Sequence, residues 1–451
     1  MPAFLSSILP LMRISCLTGS LLCLTALPAC GGGPASAPDA GMADAARPQA
    51  SQDWERDILS YDLNIDLADK TGQAIITVAG APSTGLSLAI GTLSIRRVSD
   101  ASGDLMYSLS GDELQVGVPP EGDTRSVTVD YNFEAHSDFD GWIEDKEVSF
   151  LWPAFCGNLY PCNPNPAEGA TISMTVTGAT QTAIYPELIP ADAPAYMPAI
   201  AVGDYIEKTL GTTTAGTAVS VWYEGPQEAD AIAGTLHLVE VFEFLETTYG
   251  AYSFGNKVGT VSADWGGGDF GGMEHHPLWH VSTGSLSDEE TNAHEAAHGW
   301  YGNGVRIACW EDFVLSEGVV TYMAARALAE SGVDLWPGYD CELKSVCQGS
   351  SNTTALLESC GVIDLISHPL WSTAPYQKGA QFLREVAALL GEDTVDQSLA
   401  EFYQAHVGKA ARMRDLIELL KSKGQSSAIE ALAVSWLETE ACPASVAALC
   451  M

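Results

Sequence analysis

The sequence predicts an α+β, multidomain protein in which an all-β half is followed by a mainly helical half. Three observations carry that prediction. Between residues 61 and 224, apolar and polar residues alternate in short runs separated by Gly, Pro, Asp and Ser clusters, the period-2 pattern of half-buried strands. After Pro226, apolar residues recur at helical spacing over stretches too long for strands. With 46% apolar residues in a chain of 451, there is also enough to bury one or two cores, which excludes wholesale disorder.

Taken in order, strands are expected at 61–67, 73–78, 86–90, 127–133, 171–176 and 219–223, within a β domain placed at residues 53–224. Hardly any helical period of useful length appears before residue 225. Residues 225–451 carry helical periods at 229–247, 288–301, 311–331, 377–390, 395–406 and 415–423. Between the first two of these, 258–261 and the Gly-rich stretch 265–273 read as strands with a bend, a small sheet packed against the helices. No internal repeat is present.

Residues 1–29 are set apart from the fold. A single charge, Arg13, precedes the apolar stretch 14–29, which is long enough for a secretory signal and short for a membrane span; Met12 is an alternative start. The stretch closes on Leu27, Pro28, Ala29 and Cys30, which resembles the lipobox of bacterial lipoproteins, although Pro28 is unusual there. Residues 30–52, rich in Gly, Ala, Pro and Ser, read as a flexible tether. The expectation is a lipoprotein signal, a membrane anchor through a lipid on Cys30, and an extracytoplasmic place at an outer membrane or cell surface. A cleaved signal and a secreted or periplasmic protein is the alternative.

Cysteine usage agrees with that compartment. Of 11 cysteines, Cys16 and Cys23 fall in the signal and Cys30 at the lipidation position, leaving an even set of eight, as disulfides require. Proximity pairs Cys156 with Cys162, Cys341 with Cys347 and Cys442 with Cys450, leaving Cys309 and Cys360. None of these has the paired spacing of a cysteine zinc knuckle. The charge excludes another class: 20 Lys plus Arg against 58 Asp plus Glu give a formal net charge of −38, which repels phosphate backbones, so no nucleic-acid partner is expected. The acids form no long block and read as a solvated surface.

The chemistry lies in the second half. Residues 294–298 read His, Glu, Ala, Ala, His, which on a helix places His294 and His298 one turn apart on one face, with Glu295 beside them. Ser287 and Glu290 form a capping-box pattern before them, and Gly302, Asn303 and Gly304 offer an end. Glu317, from the next expected helix, supplies a third ligand. Two His and one Glu are a catalytic zinc set that leaves a fourth position to water, whose pKa the metal lowers to about 7. One Zn2+ is therefore the expected cofactor, on His294, His298 and Glu317.

The stretch from His294 to Gly318, in which Trp300, Gly302, Asn303 and Trp310 match beyond the ligands, resembles the zinc motif of peptidase family M1, the gluzincin aminopeptidases that include aminopeptidase N and leukotriene hydrolase. Upstream, Gly271, Gly272, Met273, Glu274 and His275 resemble that family's exopeptidase motif, with His275 where the family usually has Asn. Downstream, Tyr376, Gln377, Lys378 and Gly379 resemble the segment that carries its catalytic tyrosine. More weakly, 61–67, 72–77 and Tyr160, Pro161, Cys162 echo its opening strands and a later landmark. The resemblance implies a saddle-like β domain followed by a thermolysin-like catalytic domain. It also implies a zinc aminopeptidase acting on peptides with a free N-terminus. In it Glu295 is the general base, Tyr376 the oxyanion donor, and Gly271, Gly272, Met273 and Glu274 bind substrate, Glu274 through the ammonium.

Two departures from the family stand out. Where a Gln or Glu of the β domain usually lies near the substrate amine, this chain reads Phe150, Leu151, Trp152, Pro153. The sequence also ends at Met451, with no room for the large helical C-terminal domain of many relatives. These departures keep an endopeptidase, an epoxide-hydrolase-like enzyme and a non-catalytic tethered binding protein as alternatives. Asp312 is open between supporting a ligand histidine and capping a helix. Tyr301 and Tyr322 are weaker rivals of Tyr376. His275, His276 and His280, at spacings of one and four, read as lining or structural residues rather than a second metal site.

Overall fold

The first two expected strands form a hairpin, with Ile58–Asp66 antiparallel to Thr71–Ala79 through a turn in which Lys70 takes a positive φ. From Tyr61 onward buried residues alternate with half-buried or exposed ones in both strands, the pattern the sequence displays. The computed structural model describes residues 47–450 except 121, 138–139, 267–270, 358, 362 and 366. The expected signal, Cys30 and most of the expected tether therefore lie outside the described residues.

Around the hairpin a seven-stranded sheet assembles in the order Leu188–Ala193, Ala170–Thr177, Ile58–Asp66, Thr71–Ala79, Thr124–Asn132, Ser94–Asp100, Gly103–Asp104. Five-stranded and three-stranded sheets complete the β-rich half. Strands without alternation were not foreseen: Val148–Leu151 is buried throughout and Tyr107–Ser110 is exposed throughout, so neither shows period 2.

A further five-stranded sheet carries the site, in the order Tyr205–Thr212, Ala218–Glu224, Lys257–Ala263, Leu278–Ser282, Gly272–Met273. It takes strands from both sides of residue 224, and Pro48–Met451 form one compact unit. Lys257–Ala263 joins two apolar cores: Val258 packs with the helices, while Val261 and Ala263 pack with the β-rich half.

Nine α-helices occur among the described residues: α1 Glu228–Gly234, α2 Leu238–Tyr249, α3 Glu289–Ala297, α4 Phe313–Glu330, α5 Trp336–Gln348, α6 Ala374–Leu390, α7 Glu392–His406, α8 Met413–Ser422 and α9 Ser426–Ala433. The single helix expected at 229–247 is two. At Gly234 an added Cβ would lie 1.9 Å from the Leu286 carbonyl oxygen, and Thr235 turns its hydroxyl onto the Ala231 carbonyl, ending α1. No helix among the described residues is long and apolar enough to cross a membrane.

The disulfides correct two expected pairings. Cys156–Cys162 and Cys309–Cys360 form, but Cys341 bonds Cys450 and Cys347 bonds Cys442. Cys341 and Cys347 both lie on α5, and each fastens that helix to the C-terminal segment, so the nearest cysteine in sequence is not the partner.

Candidate metal and catalytic site

Helix α3 begins one residue later than the capping pattern implied. Asp288 is its cap, accepting the Glu290 N–H and the Thr291 hydroxyl, so Ser287 is not the cap. At the other end His298 keeps helical backbone angles, which leaves His294 and His298 one turn apart. Gly302 then turns the chain back at φ 95°; a Cβ there would sit 2.7 Å from His298 Nδ1. The helix is fastened to the sheet through Thr260, whose hydroxyl donates to Asn292 and accepts the Trp279 indole N–H. His276 adds a second tie: its Nε2–H donates to the Glu295 carbonyl, so its Nδ1 accepts from the Tyr252 hydroxyl.

His294 Nε2 lies 3.2 Å from His298 Nε2, and Glu317 Oε2 lies 3.0 Å from the first and 3.4 Å from the second. A tetrahedral ion with bonds of about 2.0–2.1 Å separates its ligand atoms by about 3.3 Å, so the three atoms stand at the corners such an ion requires. His298 Nδ1 is 3.1 Å from the Tyr301 carbonyl and must carry the proton there, which leaves the Nε2 lone pair facing the cluster. Glu317 is fixed by α4, where Thr321 bonds its carbonyl. Spacing, donor type and tautomer together fit zinc on His294, His298 and Glu317.

Carboxylates crowd this centre. Oxygens of Glu274 and Glu295 lie within 4.8 Å of each other and of a His298 ring nitrogen. Burial, reinforced by Glu274 and Glu317, pushes the Glu295 carboxyl well above its ordinary value. Burial also raises Glu274, against the pull of His298 and of the Tyr196 hydroxyl that bonds it. Burial works against the charged form of Glu317 too, but the two histidines beside it, His298 above all, outweigh it and hold this carboxyl low. A cation bound among these buried acids would favour their charged forms. Gly272 lies directly over Glu295: a Cβ on it would be 2.5 Å from Glu295 Cγ.

Tyr376 sits in the first turn of α6 with its ring stacked on His294 at 5.6 Å. Its hydroxyl bonds Glu317, and burial above all keeps it protonated, so it is a fixed donor beside the triad. The crossing of α4 and α6 places it there. Gly318 and Gly379 face each other so closely that a Cβ on Gly379 would lie 2.6 Å from the Gly318 Cα.

The structure thus brings together His294, Glu295, His298, Glu317, Glu274, Gly272 and Tyr376. Met273 is buried beside them on the same strand as Gly272, and Gly271 opens that strand at a positive φ. Tyr301 donates to the Leu399 carbonyl, and the Tyr322 hydroxyl is surrounded by Asp396 and Arg326, so neither rival serves the site. Asp312 pairs with Arg412 and accepts the Met413 N–H, fastening α8 rather than a ligand histidine. His275 and His280 meet edge to face at 5.0 Å outside the triad. Sequence reasoning missed Tyr196, Phe313, Ser316 and Trp371, which with Pro153 and Trp310 wall a recess bounded by Glu274 and Glu317. No motif marks them; they converge only in the fold.

Residues 276–436 match the peptidase family M1 domain. Among curated relatives, leucine aminopeptidase 2-1 of Meyerozyma guilliermondii is 21% identical over 412 residues, covering 82% of this chain and 64% of that protein. Aminopeptidase M1-B of Oryza sativa subsp. japonica is 28% identical over 309 residues, covering 62% of this chain and 33% of that protein. The chain thus spans less than two thirds of the length of either. Among solved structures, an M1 zinc metallopeptidase from Deinococcus radiodurans superposes with TM-score 0.73 at 18% identity, over 86% of this chain and 95% of that one. Native yeast LTA4 hydrolase gives TM-score 0.72 at 18% identity, over 86% and 69%. The expected α+β, multidomain M1 fold is the one these neighbours have.

Proposed function

We propose that the protein is a zinc-dependent aminopeptidase that removes N-terminal residues from peptides. The observation that carries this reading is the placement of Glu274 and Glu295 within one buried cluster with His298, beside the triad of His294, His298 and Glu317. When bound to that triad, zinc supplies a water of pKa about 7 and polarises the scissile carbonyl.

The chain's own residues do the rest. Glu274 takes the substrate's ammonium, a buried carboxylate offered to a group of opposite charge. With the amine held there, the first carbonyl reaches the triad between Glu295 and Tyr376. Glu295, its carboxyl raised by burial, accepts a proton from the attacking water and passes it to the leaving amine. The protonated Tyr376 hydroxyl donates to the oxyanion as the carbonyl becomes tetrahedral. Gly272, without a side chain, lets the substrate backbone approach Glu295 along the sheet edge, and Gly271 and Met273 flank it. An endopeptidase would have to pass an uncharged peptide through the place of the Glu274 carboxylate, which disfavours that alternative.

The same reading assigns residues 1–29 as a lipoprotein signal, a lipid on Cys30 and residues 30–52 as a tether, with the enzyme held outside the cytoplasm. The four disulfides support an oxidising compartment. It further divides the folded part into a β domain at 53–224 and a catalytic domain at 225–451. The test is a panel of free and N-acetylated aminoacyl amides, with chelator, zinc add-back and Glu295→Gln. Cleavage of the free amides alone, abolished by chelator and by the variant, is expected; equal cleavage of acetylated amides would refute the assignment.

A further inference from the structure

The recess beside the triad is walled by a continuous arc of rings. Tyr196 lies 6.3 Å from Trp310, Trp310 lies 5.5 Å from Trp371, and Trp371 stacks on Phe313 at 4.1 Å. Phe313 in turn meets Tyr376 edge-on at 5.8 Å. The arc runs from Glu274, bonded by Tyr196, to Glu317, bonded by Tyr376. With the ammonium on Glu274 and the carbonyl at the triad, the substrate's first Cα lies between these carboxylates and its side chain enters the space the rings enclose. That space has room for about one water molecule, roughly the size of a methyl group.

Trp371 is the ring that closes it. It packs against Phe313 and Trp310, and Trp152 of the β-rich half lies 6.0 Å away. Its buried indole N–H has no acceptor, so stacking and its backbone hold the ring rather than a side-chain hydrogen bond. The segment leading to it is fastened to the opposite wall. Cys360 is bonded to Cys309, the residue before Trp310, and Ser359 and Gly361 both donate to the Glu311 carboxylate. The Cys309–Cys360 bond thereby ties the chain eleven residues before Trp371 to the residue beside Trp310.

We propose that Trp371, held by the Cys309–Cys360 bond, is a specificity-determining residue that limits the first side chain of the substrate to small groups. The proposal deepens the aminopeptidase reading and rests on it. A methyl side chain fills the recess as it stands, whereas a benzyl group enters only if Trp371 leaves its stack on Phe313.

The test compares kcat/KM for alanine and phenylalanine amides in the zinc-loaded full chain, and L-phenylalanine binding by calorimetry. The wild type is expected to favour alanine at least tenfold. Trp371→Ala is expected to lower that ratio at least tenfold by raising phenylalanine turnover, and to tighten L-phenylalanine binding. Trp371→Leu guards against a misfolded alanine variant, and the Cys309→Ser/Cys360→Ser pair is expected to shift the ratio the same way without touching the ring. Equal wild-type rates on the two amides, or an unmoved ratio in a folded Trp371 variant still active on alanine amide, would overturn the gate alone. Failure of the wild type on every free amide would remove the aminopeptidase reading and the gate with it.

Discussion

Substituting Gly379 by Ala tests whether the α4–α6 crossing sets the catalytic geometry. The new Cβ would lie 2.6 Å from the Gly318 Cα and 2.7 Å from Val314 Cγ2. Carbon atoms rest at about 3.5–4.0 Å, so the helices must part by about 1 Å. Overpacking of this kind destabilises by about 1–3 kcal/mol. Tyr376 is one turn before Gly379 on α6, and Glu317 directly precedes Gly318 on α4, so the separation moves the Tyr376 hydroxyl away from the triad. A displacement of about 1 Å from the reacting geometry lowers turnover by about 10²-fold. The assay is kcat/KM on alanine amide with zinc content and melting temperature measured together. The expected result is a large fall in kcat/KM with zinc retained. Gly338→Ala on α5, where an added Cβ meets nothing within 4 Å, is the control and should behave as wild type. Wild-type kcat/KM in a folded Gly379→Ala protein would refute the argument.

Other outcomes follow from the same geometry. Glu295→Gln keeps the carboxylate's shape but cannot take a proton, so kcat should fall by about 10²–10⁴ while zinc stays bound, as metal analysis would show. Tyr376→Phe keeps the stack on His294 and removes the donor, and should lower kcat by about 10²–10³ with KM little changed in steady-state kinetics. Acid should destabilise the fold. Burial pushes His276 and His280 down to about 3 from an ordinary 6.5, so between those values the unfolded chain binds more protons than the folded one. Their contribution is fully present above about pH 6.5 and is lost as pH falls toward 3. Denaturant melts from pH 7 to 4 should show stability declining steadily, and a flat profile would contradict the buried neutral assignment.

What was legible in the sequence was what repeats with a local period or sits in one contiguous motif. The hairpin of Ile58–Asp66 and Thr71–Ala79 alternates and was visible; Val148–Leu151, buried on both faces, was not. Helices α5 and α9 were missed because α5 opens on Trp336, Pro337 and Gly338 and α9 is only eight residues long, too little for a clear period. His294, Glu295 and His298 share one helix, so their convergence is a property of helical spacing; Glu317 was read from the next expected helix as the third zinc ligand, whereas Tyr376 needed the resemblance, since only tertiary packing of α4 and α6 brings it to the triad. Tyr196 and Trp371 lie far apart in sequence and meet only at the recess, and no local pattern announces them. Disulfide partners followed the same logic: proximity in sequence found Cys156–Cys162 and failed for α5, whose cysteines reach across the fold to Cys442 and Cys450.

The most direct test of the central claim is a zinc titration of the chelator-stripped protein, followed by hydrolysis of a free aminoacyl amide. The account predicts no activity without metal and full recovery that saturates at one zinc per chain, with Glu317→Ala failing to recover at the same concentrations. Activity persisting in the stripped protein, or recovery in Glu317→Ala at wild-type zinc levels, would contradict it.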